Sequence, residues 1–250
     1  MNEKSRVDIL GVGFDDISSA QAVGKACEII DGGGKAYIVT PNPEVVWMAR
    51  RDEALRGVLN NAGLVLADGT GIVLAARIFG TPLRERIPGI DFATSLLMKL
   101  SRSSGSVFLF GAKPGVAEEA GRKLVEAYPG LVISGTADGY FTDDEPIIEY
   151  INNVSPDLLL VCLGAPKQEL WMAANHERLN VRLSAGLGGS LDIFAGAVKR
   201  APTFFRKLGL EWFYRLVREP RRIKRMIKLP LFVFVVIIGR LRGKKKATGS

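Results

Sequence analysis

Histidine and cysteine, the usual zinc ligands, are scarce in this chain of 250 residues, which contains one histidine and two cysteines. Structural zinc sites take about four such ligands, so the composition excludes the usual Cys/His zinc centres. Cys27 and Cys162 lie far apart, in helical and strand-like patterns, and we expect reduced, buried thiols at both positions. We interpret His176, on a helix, as a structural residue.

Long apolar runs are also missing, since none reaches the length of about 20 residues that a membrane-spanning helix needs. The run from Leu229 to Ile238 is shorter and is framed by basic residues on both sides. Such a segment favours insertion into the membrane interface, and a buried core strand is the alternative. The polar residues 1–7 show no signal-peptide pattern, so we expect the body of the protein in the cytoplasm.

Positive charge is concentrated near the C-terminal end. Residues 199–250 contain 16 Lys or Arg and two acids, whereas residues 1–198 contain 18 basic and 24 acidic residues. This asymmetry indicates docking on an anionic surface. We therefore predict a core, residues 1–198, and a basic amphipathic appendage, residues 199–250, that binds the cytoplasmic face of the cell membrane peripherally. A nucleic acid is the rival surface, but the apolar run has no place on a duplex, so we predict no nucleic-acid partner.

Short β-rich runs alternate with helical stretches in the core. The predicted strands are Val7–Leu10, Tyr37–Val39, Leu64–Ala67, Val107–Phe110 and Leu158–Leu163. Apolar strands followed by helices predict an α/β fold, a mostly parallel sheet with helices on both faces. Ligands bind such sheets outside the carboxyl ends of the strands, so the turns that follow the strands are the candidate site.

Polar residues and glycines follow these strands directly and should line one crevice. They are Thr40, Asn42, Asp68, Gly69, Gly71, Gly111, Lys113, Gly164, Lys167, Gln168 and Glu169. Glycine-rich turns that lead into helices suit a phosphate group. Lys167 and Glu169 are interpreted as groups at the edge of the pocket, with a surface ion pair as the alternative. The Gly11-x-Gly13 turn lacks the third glycine of a dinucleotide fingerprint, which argues against an NAD-linked enzyme.

Asp68 is the strongest candidate for a catalytic residue. It follows four apolar residues and precedes a glycine turn, so its carboxylate can be held rigidly and partly desolvated. Desolvation would raise its pKa toward the range of a general base. The alternative is an aspartate that caps the next helix. The local residues favour neither interpretation.

Four arginines of the appendage have helical spacing: Arg215, Arg218, Arg222 and Arg225. No Asp-x-Asp metal-binding motif occurs in the chain, so positive charge for a bound phosphate group would have to come from the protein. We predict that Arg215, Arg222 and Arg225 reach such a group on a substrate. The alternative is that all four bind anionic lipid headgroups.

Five ordered motifs run through nearly the whole core: Thr40-Pro41-Asn42-Pro43-Glu44, Ala67-Asp68-Gly69-Thr70-Gly71, Arg84-Glu85-Arg86-Ile87-Pro88-Gly89-Ile90-Asp91, Phe110-Gly111-Ala112-Lys113-Pro114-Gly115 and Leu163-Gly164-Ala165-Pro166-Lys167-Gln168-Glu169. Together they resemble the WecG/TagA/CpsF family of bacterial glycosyltransferases. The resemblance implies a Rossmann-like core and an appendage that closes over the site. It also implies transfer of an N-acetylmannosamine-type sugar from a UDP donor to undecaprenyl-diphosphate-linked N-acetylglucosamine. Asp68 would be the catalytic base, with Thr40, Asn42, Arg86 and Gln168 in the substrate pocket.

We therefore expect an inverting, metal-independent glycosyltransferase without a cofactor that uses UDP-N-acetylmannosamine. Gly111, Lys167, Glu169 and the three appendage arginines complete the predicted substrate-binding set. UDP-N-acetylmannosaminuronic acid or another UDP-sugar is the alternative donor. A membrane- or nucleic-acid-associated binding module without catalysis is the alternative from another class. The sequence does not fix the oligomeric state, so a homo-oligomer stays open.

Overall fold

The computed structural model describes residues 6–218 and 228–247. The strands are β1 (Arg6–Ile9), β2 (Val12–Asp15), β3 (Ala36–Val39), β4 (Leu64–Val65), β5 (Ser106–Gly111), β6 (Val132–Ala137), β7 (Leu158–Cys162) and β8 (Leu183–Gly186). The helices are α1 (Ser19–Asp31), α2 (Pro43–Ala49), α3 (Glu53–Asn61), α4 (Thr70–Phe79), α5 (Gly89–Leu100), α6 (Val116–Ala127), α7 (Glu145–Val154), α8 (Lys167–Asn175), α9 (Ser190–Phe194), α10 (Thr203–Lys207), α11 (Glu211–Arg218) and α12 (Lys228–Ala247).

Six of the strands form one parallel sheet in the order β4-β3-β8-β7-β5-β6. Side chains of α2, α3, α4, α7, α8 and α12 cover one face, and those of α1, α5, α6 and α9 cover the other. The predicted α/β fold with helices on both faces is confirmed. The chain leaves β5 toward β6 but leaves its neighbour β7 toward β8, so a topological switch point lies between β5 and β7.

The first predicted strand does not join the parallel sheet. Its residues form β1, which pairs antiparallel with β2 in a separate hairpin. Leu10 and Gly11 both have positive φ angles, 56° and 91°, which suit a two-residue hairpin turn. The hairpin is tied to the edge of the sheet because Asp15 Oδ2 accepts a 2.7 Å hydrogen bond from the N–H of Val65. Two strands of the sheet, β6 and β8, were not among those predicted.

Side-chain caps fix the starts of α1 and α2. The hydroxyl of Ser18 accepts a hydrogen bond from the N–H of Gln21, whose side chain accepts one from the N–H of Ser18. This capping box fixes the first turn of α1. Asn42 caps α2 by accepting hydrogen bonds from the N–H groups of Glu44 and Val45. The turn after β3 is therefore fixed by its own asparagine.

The apolar run from Leu229 to Ile238 belongs to α12 and is not a strand, so the alternative of a buried core strand is wrong. Phe232 and Val236 are fully buried in the core that α2 and α4 also line. The Arg240 guanidinium donates a 2.7 Å hydrogen bond to the carbonyl of Phe79 at the end of α4. Three apolar side chains point outward: Leu231, Phe234 and Ile237. In the described ranges, no helix has both the length and the apolar character to cross a membrane.

Phe232 and Phe234 provide a matched test of this packing, since they are 0% and 61% exposed on the same helix. Phe232→Ala should lower the free energy of unfolding by about 3–5 kcal/mol because it leaves a cavity. Phe234→Ala should change it by less than about 0.5 kcal/mol. Urea unfolding followed by circular dichroism measures both. Equal, small effects would show that α12 is not packed against the body.

Candidate active site

The turns that follow β3 and β4 pack against each other. A Cβ added at Gly71 would lie 2.6 Å from Cγ of Pro43, so these two predicted motifs are in direct contact. The Thr40 hydroxyl donates a 2.9 Å hydrogen bond to the carbonyl of Gly186, the last residue of β8. Thr40 therefore links the turn after β3 to the centre of the sheet.

Asp68 lies at this edge, half-buried, between β4 and α4. The N-cap position of α4 belongs to Gly69, whose φ of 92° turns the chain sharply. The carbonyl of Ala67 accepts a 2.9 Å hydrogen bond from the N–H of Ile87. This bond brings the third motif, with Arg86, beside the Asp68 turn.

Residues 200–211 of the predicted appendage lie over the Asp68 turn. The Thr70 hydroxyl donates to the carbonyl of Gly209 at 3.3 Å, and a Cβ on Gly209 would lie 2.2 Å from Cγ2 of Thr70. Arg86 Nη2 donates to the carbonyl of Arg206 at 3.4 Å. The segment from 200 to 211 thus contacts Thr70 and Arg86, both of which follow Asp68 along the chain.

Arg200 is the main feature of the site that the sequence did not single out. Its guanidinium forms two hydrogen bonds to the carboxylate of Asp91, of 2.6 and 2.7 Å, and its Nε lies 3.8 Å from Oε1 of Glu211. The pKa of Arg200 is raised, first by its hydrogen bond to Asp91 and further by the charges of Asp91, Glu211 and Asp68. Arg200 is one of many basic residues near the C-terminal end, and no local pattern sets it apart.

The positive charges of nearby arginines offset the negative charge of Asp91. Burial alone would raise the pKa of this carboxyl, but the hydrogen bonds and charge of Arg200 outweigh it, and Arg206 and Arg86 add to the effect. The pKa of Asp91 therefore lies below its ordinary value. A charged cluster therefore lies at one end of the sheet edge. Its members are Arg86, Arg200, Arg206, Asp68, Asp91 and Glu211.

Gln168 and Glu169 are almost completely buried, at 3% and 1% exposure. The Gln168 side-chain carbonyl accepts a 2.9 Å hydrogen bond from the N–H of Gly188, and its amide nitrogen donates to Glu169 Oε1 at 2.8 Å. Gln168 thus holds the turn after β8. The alternative of a surface ion pair between Lys167 and Glu169 is wrong because Glu169 is not at the surface.

Lys167 faces the β6 side of the sheet. Its amino group donates a 3.2 Å hydrogen bond to the carbonyl of Gly139 and lies 3.9 Å from the ring centre of Phe141. At the end of β5, a Cβ on Gly111 would lie 2.4 Å from the carbonyl oxygen of Cys162. Only glycine permits this approach of β5 and β7 at the switch point.

The predicted residues share one sheet edge but do not form a single tight cluster. β4 and β5 are four strand spacings apart in the sheet order, which is about 19 Å. Thr40, Asn42, Asp68 and Arg86 lie toward one end, whereas Gly111 and Lys167 lie toward the other. Arg222 and Arg225 lie outside the described residues, as does the side chain of Arg215, whose backbone belongs to α11.

Acidic, cysteine and histidine side chains do not cluster as metal ligands in the described part of the chain. Within residues 6–218 and 228–247, no group of three or more such side chains is placed to hold a metal ion.

The parallel sheet, the polar turns at its carboxyl edge and the acid–arginine cluster over one end define a Rossmann-like α/β protein with a candidate site at its strand ends. A family model described as the glycosyl transferase WecG/TagA/CpsF family matches residues 7–246, and the chain belongs to this family. The resemblance that the five motifs carried is therefore confirmed.

Two relatives carry the same name, N-acetylglucosaminyldiphosphoundecaprenol N-acetyl-beta-D-mannosaminyltransferase. The protein from Bacillus spizizenii is 38% identical over 208 residues, which are 83% of this chain and 81% of the relative. The protein from Staphylococcus aureus strain MRSA252 is 36% identical over 243 residues, which are 96% of each chain. The similarity thus extends through the C-terminal region as well as the core.

Glu169 should make stability depend on pH. Burial raises its pKa, so the folded protein keeps a proton there that the unfolded chain releases. The contribution of this carboxyl to the free energy of unfolding is complete below the ordinary carboxyl pKa. It declines as the pH rises toward the raised pKa of the folded protein. Glu169→Gln should remove this decline, since a glutamine oxygen can still accept the hydrogen bond from Gln168.

Urea unfolding of both proteins between about pH 4 and pH 8 measures the difference. The exposed Glu118→Gln is the matched control and should leave the pH dependence unchanged. An identical pH dependence in the wild type and Glu169→Gln would contradict a raised pKa of Glu169 in the folded protein.

Proposed function

We propose that this protein transfers N-acetylmannosamine from UDP-N-acetylmannosamine to undecaprenyl-diphosphate-linked N-acetylglucosamine, in synthesis of the wall teichoic acid linkage unit or a related surface polysaccharide. The observation that carries the proposal is the position of Asp68, at a strand end beneath residues 200–211 and beside arginines. Support also comes from the names of the two relatives, one of which matches 96% of this chain.

Asp68 acts as the base in the proposed reaction. Its carboxylate takes the proton from the 4-hydroxyl of the acceptor N-acetylglucosamine as that oxygen bonds to the anomeric carbon of the donor sugar. The bond from this carbon to the β-phosphate oxygen breaks, and its electron pair leaves with UDP. Attack opposite the leaving group inverts the anomeric configuration and gives a β-1,4 linkage.

Arginine side chains stabilise the departing diphosphate in this proposal. Arg86 and Arg206 lie close enough to Asp91 for their charges to lower its pKa, and the charge of Asp68 acts on Arg200, which binds the same Asp91. Arg206 Nε is buried without a hydrogen-bond partner. Arg215, Arg222 and Arg225 would add charge from the appendage. The proposed reaction needs no metal ion or other cofactor.

The donor lies along the sheet edge, with its sugar at the Asp68 end. Thr40, Asn42 and Gln168 then shape the sugar pocket, Gln168 by holding the turn after β8. The nucleotide extends toward the switch point between β5 and β7, where Gly111 lets the two strand ends approach closely. A ligand with two distinct ends suits a site whose residues are spread over several strands.

The appendage docks the protein on the cytoplasmic face of the membrane, where the lipid-linked acceptor is found. Half of the large apolar side chains that are exposed in the described residues lie beyond residue 203: Phe204, Leu208, Trp212, Phe213, Val217, Leu231, Phe234 and Ile237. Exposed apolar groups among many basic residues suit the interface of an anionic membrane. We infer a peripheral protein whose apolar patch enters the interface beside the site.

Asp68→Asn tests the base. Asparagine caps a helix as well as aspartate does, so a capping role predicts normal turnover, whereas loss of the base should lower kcat by about 10²- to 10⁴-fold. UDP release with UDP-N-acetylmannosamine and a short-chain lipid-diphosphate N-acetylglucosamine measures this. Asp52→Asn, at the N-cap of α3, is the matched control and should keep full activity.

Activity should also survive a chelator. Release only with UDP-N-acetylmannosaminuronic acid would contradict the proposed donor. Absence of release with every UDP-sugar would contradict the enzyme assignment and favour a binding module.

Membrane docking has its own test. Combined replacement of Leu231, Phe234 and Ile237 by serine should weaken binding to anionic vesicles by about tenfold or more, because it removes apolar groups that enter the interface. Turnover with a soluble acceptor should persist. Met98→Ser with Val125→Ser removes comparably exposed side chains from α5 and α6 and is the control. Unchanged vesicle sedimentation of the triple variant would exclude this face as the docking surface.

A further inference from the structure

Arg200 joins three parts of the chain that are distant in sequence. It precedes α10, it binds Asp91 in the first turn of α5 with two hydrogen bonds, and it pairs with Glu211 in the first turn of α11. A bidentate arginine–carboxylate contact fixes the orientation of the two side chains as well as the distance between them. The Arg200 side chain is only 18% exposed, so solvent screens the contact less than a surface pair.

In the part of the chain that the structure describes, few core contacts hold the same segment. Neither α10 nor α11 supplies a side chain to the two described core clusters, and Phe204, Leu208 and Phe213 are exposed. The hydrogen bonds of Thr70 and Arg86 to this segment are long, at 3.3 and 3.4 Å. Apolar burial among residues 6–218 and 228–247 therefore contributes little to the placement of residues 203–218.

We propose that Arg200 is a positioning residue for sugar transfer: by bridging Asp91 to Glu211 it holds residues 200–211 over the turn that carries Asp68. This inference rests on the proposed function. Arg200 does not touch the reacting atoms. It sets the place of Arg206 and of the first turn of α11, and through them the shape of the site above Asp68.

The local charges keep this bridge intact near neutral pH. Hydrogen bonding to Asp91 raises the pKa of Arg200, and the arginines around Asp91 hold the pKa of that carboxyl below its ordinary value. Both partners are therefore charged at neutral pH.

Arg200→Gln and Arg200→Lys provide the kinetic test. Glutamine removes the charge and the paired hydrogen bonds and should lower kcat by about 10- to 100-fold. The KM for the donor should change by less than about threefold, because the lost function is alignment and not binding. Lysine keeps the charge without the two-pronged geometry, so its kcat should be intermediate. Arg122→Gln is the matched control, since Arg122 also makes a paired contact, to Glu119, but on the exposed surface of α6.

Hydrogen–deuterium exchange of the same variants gives a readout that needs no substrate. Arg200→Gln should speed exchange of residues 203–214 and leave β5 and β7 unchanged. Faster exchange throughout the sheet would overturn the positioning role and indicate general destabilisation. A kcat equal to that of an active wild type would overturn it as well. If the wild type itself transfers no sugar, the proposed function fails. In that case, unchanged exchange of residues 203–214 in Arg200→Gln would separately reject the bridge.

Discussion

The backbone pairing of β3 with β8 joins the two halves of the sheet, and the location of the site depends on it. The register runs from Ala36 beside Leu183 to Val39 beside Gly186. The N-terminal half, with the turns after β3 and β4, is thereby placed next to the half that contains β7 and β5. The Thr40 hydroxyl adds one more hydrogen bond between the two halves, to the carbonyl of Gly186. Without this pairing, Asp68 and the Lys167–Glu169 turn would lie on separate units.

The segment of residues 200–211, which crosses this edge, has one charged side and one apolar side. On its inner side, Arg200 and Arg206 lie with Asp91 in a compensated cluster next to Asp68. On its outer side, apolar groups such as Phe204 are exposed. One short segment thus presents charge inward and apolar surface outward. In the proposed function these two sides correspond to a charged nucleotide donor and an acceptor attached to lipid.

Sequence patterns identified those parts of the fold that have a strong local signal. Apolar strands such as Leu158–Leu163 and the turns that follow them were recognised, and the family motifs directed attention to Asp68. The central strand β8 was missed because Leu-Ser-Ala-Gly is short and has no β-branched residue. Arg200 was missed because only the folded chain brings it to Asp91. The buried face of α12 was missed for the same reason, since its partners in α2 and α4 are distant in sequence.

A structure of the protein with UDP bound tests the central claim, that the carboxyl edge of the sheet beneath residues 200–211 is the donor site. We predict the diphosphate within hydrogen-bond distance of Arg86 or Arg206, and the uridine directed toward the turns after β5 and β7. UDP at the opposite edge of the sheet, where the strands begin, would contradict the account. UDP at the predicted edge but remote from Asp68 would contradict the role assigned to that carboxylate.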